Sequence, residues 1–523
     1  MKTSKLFVLA LIFGLVSCDD PLQNTISNNG LQSFEVSDFV ENANDYVEMY
    51  KDTIDHSKKG VFHLSPPIGW INDPNGFSEF NNKYHLFYQF NPYSAVWGPM
   101  HWGHQTTSDF IKWELEDVAL APDENYDNIN GCFSGSALVE DNKLYVAYTS
   151  VSENQTQSIA YSYDGVTFKK SENNPIIDED EMPSHLSIAA FRDPKIFKRN
   201  GKYYIICGNE SKDHSSKHLA LFESEKLEEG WKYVGNIYQR NDVGGLFECP
   251  DLIEFENADV LMTSPQSMFN DNKYELQNVD SCLYLVGKLS TNTYKFYHND
   301  PNQKFEEFDK GFSFYAPQTL KTKDGRIILT AWMKSWAEAN ITEFDGWAGS
   351  MVLPRELELI NNHIYQKPVR EIANYYTNPI SINSLELNND SYSIGNDNCY
   401  EIDFELDFAK SVTSTKAGIE VFKGTRYSTK IYYDYDERCV VFDRNNCGSV
   451  LNGTRYAKVD PIDNKIKFQI FVDKTSVEVF INDGFYTQTG NIFPNIEDNG
   501  INLFVENGTA VINNINYNHV SLE

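Results

Sequence analysis

Apolar and polar positions alternate along this chain in short runs broken by Asn, Asp and Gly, and one arrangement of runs returns five times. Each copy has a polar motif, often with Pro, then a short apolar run, a tight turn and a second apolar strand. The copies are WINDPNGFSEFNNKYHLFYQF from Trp70, CFSGSALVEDNKLYVAYTS from Cys132, FRDPKIFKRNGKYYIICGNE from Phe191, FECPDLIEFENADVLMTSPQ from Phe247 and FYAPQTLKTKDGRIILTAWM from Phe314. Their second strands open at Tyr84, Leu144, Tyr203, Val260 and Ile327, spaced about 60 residues apart. The turns between the strands, such as Asn81-Asn82, Asp141-Asn142 and Asn200-Gly201, carry hairpin residues. Further strands are predicted between copies, for example over 158–163 and 282–289.

A period of this length with several short strands reads as a four-stranded sheet repeated radially. The prediction is an all-β chain: a five-bladed β-propeller over 58–368 followed by a β-sandwich over 369–523. A β-solenoid or a pair of sandwiches competes, but a solenoid has a shorter repeat. The sandwich follows from short alternating strands at 400–408, 417–422, 430–435, 440–443, 466–472, 476–481 and 502–505. No cluster of acids and histidines stands out there, so it is assigned no chemistry.

The repeat also places chemistry. The polar motif precedes the first hairpin of each unit, so it belongs on the innermost strand, which lines the axial channel. Asp73, Asp193 and Glu248 occupy nearly the same slot in copies one, three and four. Superposition around one axis therefore brings three distant acids together. Paired carboxylates are the standard tools for breaking a glycosidic bond through an oxocarbenium-like transition state. Crowding and burial would raise the pKa of a proton donor among them. Trp70, Trp97, Trp102, Phe133, Tyr315 and Trp332 are expected to supply flat channel surfaces for sugar faces. Each residue alone has a plainer reading. Asp73 and Asp193 precede prolines and could begin turns, Arg192 and Asp193 could form an ion pair, and Glu248 could be a solvated acid at a strand end. His101 and His104 lack partners at metal-ligand spacing and read as packing or hydrogen-bonding residues; no metal and no cofactor is expected.

Composition narrows the class. At 523 residues, 41% of them hydrophobic, the chain can bury large cores in two domains. The net charge of −31 argues against nucleic acid as a partner and suits a neutral substrate. Lys2 and Lys5 precede an apolar run over 6–16 that ends in Leu15-Val16-Ser17-Cys18. That ending resembles a bacterial lipobox, in which Cys18 becomes the lipid-bearing first residue of the mature protein. The run is too short for a permanent span. Residues 1–18 are thus expected to be a lipoprotein signal and 19–57 a polar tether. Membrane contact would be through the lipid only, with the protein exported to the cell surface or held on the periplasmic side. Asp19 and Asp20 resemble a surface-export signal in some lipoproteins and an inner-membrane retention signal in others. Of the remaining seven cysteines, only Cys439 and Cys447 suggest a disulfide.

WINDPNG from Trp70 resembles the WMNDPNG signature of glycoside hydrolase family 32, the invertase, inulinase and levanase family. Arg192-Asp193-Pro194 matches its RDP motif and Glu248-Cys249 its EC motif. Intervening stretches agree in order: YQFNP from Tyr88, FSGS from Phe133, FYAPQT from Phe314 and LPREL from Leu353. Asp443-Arg444 and SVEVFINDG from Ser476 are similar to its sandwich motifs. The resemblance implies retaining hydrolysis of β-fructofuranosidic bonds without a cofactor. Asp73 would be the nucleophile, Glu248 the acid and then the base, and Asp193 the transition-state stabiliser. Asn72, Gln89, Trp97, Phe133, Ser134, Arg192, Tyr315 and Trp332 match positions that shape the fructose pocket. Ile71, where the family often has Met, is an apolar exchange that affects packing. The expected substrate is a fructan or another fructose-containing oligosaccharide, levan favoured and endo action open, with inulin or sucrose as alternatives. A fructosyltransferase of the same architecture and a non-catalytic fructan-binding protein are the rival functions.

Overall fold

The computed structural model describes residues 25–26, 32–241, 244–268, 272–300, 304–410 and 412–523. The expected signal segment and Cys18 lie outside them. Each of the five copies folds as an antiparallel sheet around one axis. Blade one is Gly69–Phe80, Lys83–Asn91, His101–Thr107 and Glu114–Leu115, and blade two is Gly131–Glu140, Lys143–Val151, Gln155–Ser162 and Lys169–Lys170. Blade three runs from Leu186–Arg199 through Lys202–Ser211 and Lys217–Ser224 to Lys232–Arg240. Blade four is Phe247–Glu254, Asp259–Pro265, Leu283–Ser290 and Lys295–His298, with Glu306–Glu307 added to its third strand. Blade five is Tyr315–Lys321, Ile327–Trp332, Arg355–Ile360 and His363–Pro368.

The first strand of each blade touches the first strand of the next, and the strand of blade five touches that of blade one, so the ring closes. Trp347–Ala348, from a long loop of blade five, pairs in parallel with Gly69 and Trp70 and fastens this seam. Asn81, Asn82, Asp141 and Asn142 take φ of 46°, 62°, 49° and 59°. Left-handed backbone at both central residues is what a two-residue hairpin turn requires, and Asn and Asp tolerate it. Each seam between blades has its own apolar filling, such as Phe87, Leu144 and Val146 between blades one and two. Strands covered on both faces need apolar residues on both, which is why the second strands read as near-continuous apolar runs.

The C-terminal unit is two packed six-stranded sheets. Ile402, Phe404, Ile419, Ile431, Ile470, Val479, Leu503 and Ile512 meet in its core. The sequence pattern missed Tyr376–Asn388, Ser391–Asn396, Thr454–Lys458, Tyr486–Asn491 and Thr509–Val520. Tyr376–Asn388 lies at a sheet edge with mostly exposed side chains, although Ile382, Leu385 and Leu387 turn to the core. Cys439, Cys447 and the other five described cysteines are free thiols, so the suggested disulfide is absent. Among the described residues no helix is long and apolar enough to cross a membrane.

The expected tether over 19–57 needs correction. Asp38–Tyr50 is a helix capped by Ser37, with Val40, Ala43 and Val47 buried against the propeller. The segment runs as a belt. Phe34 packs its ring on Tyr161 and Tyr163 of blade two, and Asn44 accepts from the Val118 N–H. Tyr46 meets Tyr93 edge to face at 5.0 Å, and the Asp55 carbonyl accepts from Trp347 Nε1. Phe39, Met49 and Tyr50 are apolar but exposed, and they blur the helical period of Val40, Ala43 and Val47.

A buried ionic network joins the two domains. Arg355, fully buried, donates through Nη1 to Asp309 and Gln366 and through Nη2 to Glu478 at 2.6 Å. His63 lies 2.8 Å from Asp473 by Nδ1 and 2.8 Å from Glu478 by Nε2. Burial alone would lower the His63 pKa, but hydrogen bonds to the two carboxylates push it up to about 9. Removing one partner from such a network leaves charge uncompensated. Arg355→Met is therefore expected to cost about 3–5 kcal/mol in denaturant unfolding. His63 has a folded pKa above its unfolded value of about 6.5. Its stabilisation is complete below that pH and is lost as the pH rises through about 9. Thermal melts should show a stability decline across that window that the His63→Gln variant lacks; the same decline in both would remove His63 as its source.

Candidate active site

Every inner strand breaks its pairing at the same depth. The register shifts fall between Ile71 and Pro74, Cys132 and Gly135, Arg192 and Lys195, Glu248 and Asp251, and Tyr315 and Gln318. In each case two residues oppose one on the second strand, which defines a β-bulge and re-aims side chains. Asp193, Cys249 and Ala316 have φ of 64°, 45° and 50°, and each precedes a proline. Backbone in this region is costly for a residue with a Cβ and is found where function demands it.

The bulges bring the three acids together, with one refinement. Asp73 is the second of the two bulged residues of its strand, and Asp193 is the first of its own. Glu248 stands one residue earlier, paired with Ser264, in the place that Arg192 holds opposite Gly208 and Tyr315 opposite Trp332. The three acids therefore come from three successive places along the inner strands, each one residue from the next.

Asp73, Asp193 and Glu248 are all buried. Asp73 Oδ2 accepts from Ser134 Oγ at 2.6 Å and from Cys249 Sγ at 3.4 Å, while Oδ1 has no partner. One oxygen is fixed and the other is left free. Asp193 Oδ2 accepts from the Cys249 N–H at 3.0 Å and lies 3.7 Å from the same thiol, so one residue touches both aspartates. The Asp193 N–H donates to Thr149, which donates to Gln157, and Gln157 returns a bond to the Phe191 carbonyl. Arg192 pairs with Glu248 at 2.7 Å rather than with its neighbour Asp193. Tyr315 Oη lies 2.7 Å from Glu248 Oε2 and 2.8 Å from the Ser264 carbonyl. A phenol has one proton to give. Both contacts are full hydrogen bonds together only when Glu248 carries a proton on Oε2 and donates it to Tyr315.

The electrostatics agree with a protonated acid here. Burial and the negative charge of Asp73 raise the Glu248 pKa, against the pull of Arg192 and the Tyr315 hydroxyl. Asp193 is pushed up to about 7 by burial, then by Glu248 and Asp73, again against Arg192. Removing the Arg192 guanidinium must therefore raise both. The site can hold a negative nucleophile, a proton donor and a third acid against one face of a substrate that develops positive charge.

The other expected residues divide by position. Asn72 accepts from Trp70 Nε1 at 2.7 Å, and Gln89 donates to the Cys132 carbonyl at 3.0 Å from opposite the first bulge. Trp97 is 43% exposed and meets Phe133 edge to face. Trp102 does not line the channel as expected. It is fully buried between blades one and two, and its N–H holds the Phe133 carbonyl. Trp332 is also fully buried, with an N–H that finds no partner. Sequence reasoning missed Trp336, which is 37% exposed and stacks on Trp70, and the role of the Cys249 thiol. The signals were in view: Trp336 closes a run begun by Trp332, and Cys249 directly follows an acid. His101 bonds the Pro99 carbonyl, and His104 stacks on Phe87 beside His85.

The N-terminal domain model of glycosyl hydrolases family 32 matches residues 63–368, and the family's C-terminal model matches 370–519. A sucrose-6-phosphate hydrolase of Zymomonas mobilis is 35% identical over 474 residues, covering 86% of this chain and 90% of that protein. A levanase of Bacillus subtilis is 30% identical over 495 residues, covering 87% of this chain and 69% of that protein. Among solved structures, a Bombyx mori β-fructofuranosidase in complex with sucrose is similar at a TM-score of 0.78 and 31% identity, covering 92% of this chain and 97% of that one.

Removing the guanidinium tests the electrostatics. In the Arg192→Gln variant the limb of the kcat/KM profile that falls with deprotonation of Glu248 should move to higher pH. A limb that stays or moves down would contradict the assignment.

Proposed function

The chain belongs to glycosyl hydrolase family 32, and on that premise we propose that it hydrolyses neutral fructans with retention of configuration, levan in preference. The β-fructofuranosidase activity itself comes with the family. The observation that carries the mechanism is the unequal bonding of the three acids. Asp73 Oδ1, the unpartnered oxygen, attacks the anomeric carbon as the bond to the leaving oxygen breaks. Glu248 passes its proton to that oxygen. Glu248, now ionised beside Arg192, takes a proton from water, which attacks the same carbon and frees Asp73. Asp193, held by the Cys249 N–H, offers negative charge to the ring in both steps. Asn72, Gln89, Trp97, Phe133, Ser134, Arg192, Tyr315 and Trp332 shape the fructose site, with Trp336 beside them.

A neutral substrate is supported by the charge of the chain and by the acids at the rim of blades two and three, Glu153, Asp178, Glu179 and Asp180. A sugar phosphate would meet repulsion there. The polymer preference rests on export: with lipid on Cys18, the enzyme would stand at the cell surface, where a polymer too large to enter is met first. Sucrose is the second reading, favoured by relatives named sucrose-6-phosphate hydrolase and raffinose invertase.

Asp73→Asn and Glu248→Gln should each lower turnover by about a thousandfold or more with unchanged melting curves. Near-normal turnover in both would remove the assignment. Chromatography of products from levan, inulin and sucrose decides the rest. Fructose alone from levan excludes endo action, and inactivity on both polymers leaves sucrose as the substrate.

A further inference from the structure

Gln155 touches the Arg192–Glu248 ion pair through Arg192. Its Oε1 accepts from Arg192 Nη1 at 3.4 Å and from the Phe191 N–H at 3.0 Å. Its chain neighbours Asn154 and Thr156 line a groove of about 630 Å³ formed by the linker into blade two, the turn between that blade's second and third strands, and the linker that leaves it for blade three. That size is within the range of small-ligand sites. Three segments build it, contributing Asn125, Tyr126 and Ile129, then Asn154, then Asp178 and Glu179.

These walls are anchored. The N–H groups of Ile129 and Asn130 both bond the Val151 carbonyl at the end of the second strand of blade two. The third segment is tied to the third strand through Gln157 N to Ile177 O at 2.9 Å and Ile176 N to Gln157 O at 2.8 Å. The Tyr126 hydroxyl accepts from Asn174 at 3.3 Å, and Lys170 Nζ lies 5.9 Å from the centre of its ring. Asn125 and Asn154 present exposed amides, and Ile129 is 52% exposed.

The chemistry of the lining selects its ligand. No Lys or Arg lines the groove, while Glu153, Asp178, Glu179 and Asp180 do. Anions are repelled, whereas sugar hydroxyls can donate to the carboxylates and amide oxygens, and an apolar sugar face can lie on Tyr126 or Ile129. Position selects the part of the ligand. A proton donor must face the leaving oxygen, so the leaving portion of the substrate lies on the side of Glu248. Arg192 backs Glu248, Gln155 backs Arg192, and the groove opens next.

We propose that this groove binds the leaving-group side of a neutral fructose oligosaccharide, beyond the sugar that adjoins the cleaved bond. The assignment rests on the fructan reading above and deepens it. Sucrose, whose leaving group is a single sugar, does not extend into the groove.

The test compares the full-length enzyme with an Asn125→Ala/Asn154→Ala double variant on sucrose and on a levan-type oligosaccharide of several units. The expected result is a loss of about tenfold in kcat/KM on the oligosaccharide, mostly in KM, with sucrose kinetics unchanged. Unchanged kinetics on both substrates, or an equal loss on both, would overturn the groove while leaving the hydrolase reading intact. A wild-type enzyme that cleaves sucrose but not the oligosaccharide would overturn both the groove and the fructan preference.

Discussion

Regular pleating would point alternate side chains of each inner strand into the seams between blades, where apolar packing claims them. The bulge at one depth in all five strands breaks that alternation and turns polar side chains to the axis. The left-handed backbone at Asp193, Cys249 and Ala316 is the local cost of doing so. It persists because the second and third strands, and the apolar seams beside them, over-determine the geometry. Radial repetition then converts one local device into convergence of groups far apart in the chain, Asp73, Asp193 and Glu248 among them.

Convergence alone would give three equivalent acids. What separates them is who donates to each. A hydroxyl and a thiol fix one oxygen of Asp73 and leave the other bare, a backbone N–H holds Asp193, and a guanidinium and a phenol hold Glu248. The phenol is itself committed to a carbonyl, which favours the proton on Glu248. The same logic of fixed partners extends outward. The belt, through Tyr46 and Asp55, braces Tyr93 and Trp347, on the loops that carry Trp97 and Trp336. Arg444 of the sandwich reaches Glu338 on the second of those loops at 2.9 Å. The sandwich motifs therefore hold the frame on which the pocket loops are fixed.

The blades were legible because hairpin turns need Asn, Asp or Gly at positive φ, and these recur at a constant interval. The acids were legible because a repeat superposes neighbouring positions, although the one-residue steps between Asp73, Asp193 and Glu248 were not, since they depend on where each bulge falls. Pairings across blades were hidden for the same reason. Arg192 is adjacent in sequence to Asp193 but bonded to Glu248. Trp102 carries the same side chain as Trp97, yet one fills a seam and the other faces solvent. The helix at Asp38–Tyr50 buries only Val40, Ala43 and Val47 of its apolar residues, and its stability comes from docking that no local pattern records. Arg355 and Glu478 stood inside recognisable motifs, but their meeting is a property of the two domains together.

The central claim is that Asp73, with one free oxygen, forms the covalent bond while Glu248 manages the proton. It is tested most directly by reacting the Glu248→Gln variant with an activated fructosyl donor, quenching in acid and mapping the sugar adduct by peptide mass spectrometry. The account predicts the fructosyl group on the peptide that contains Asp73. An adduct on the peptide of Asp193, or product of inverted configuration with no adduct at all, would contradict it.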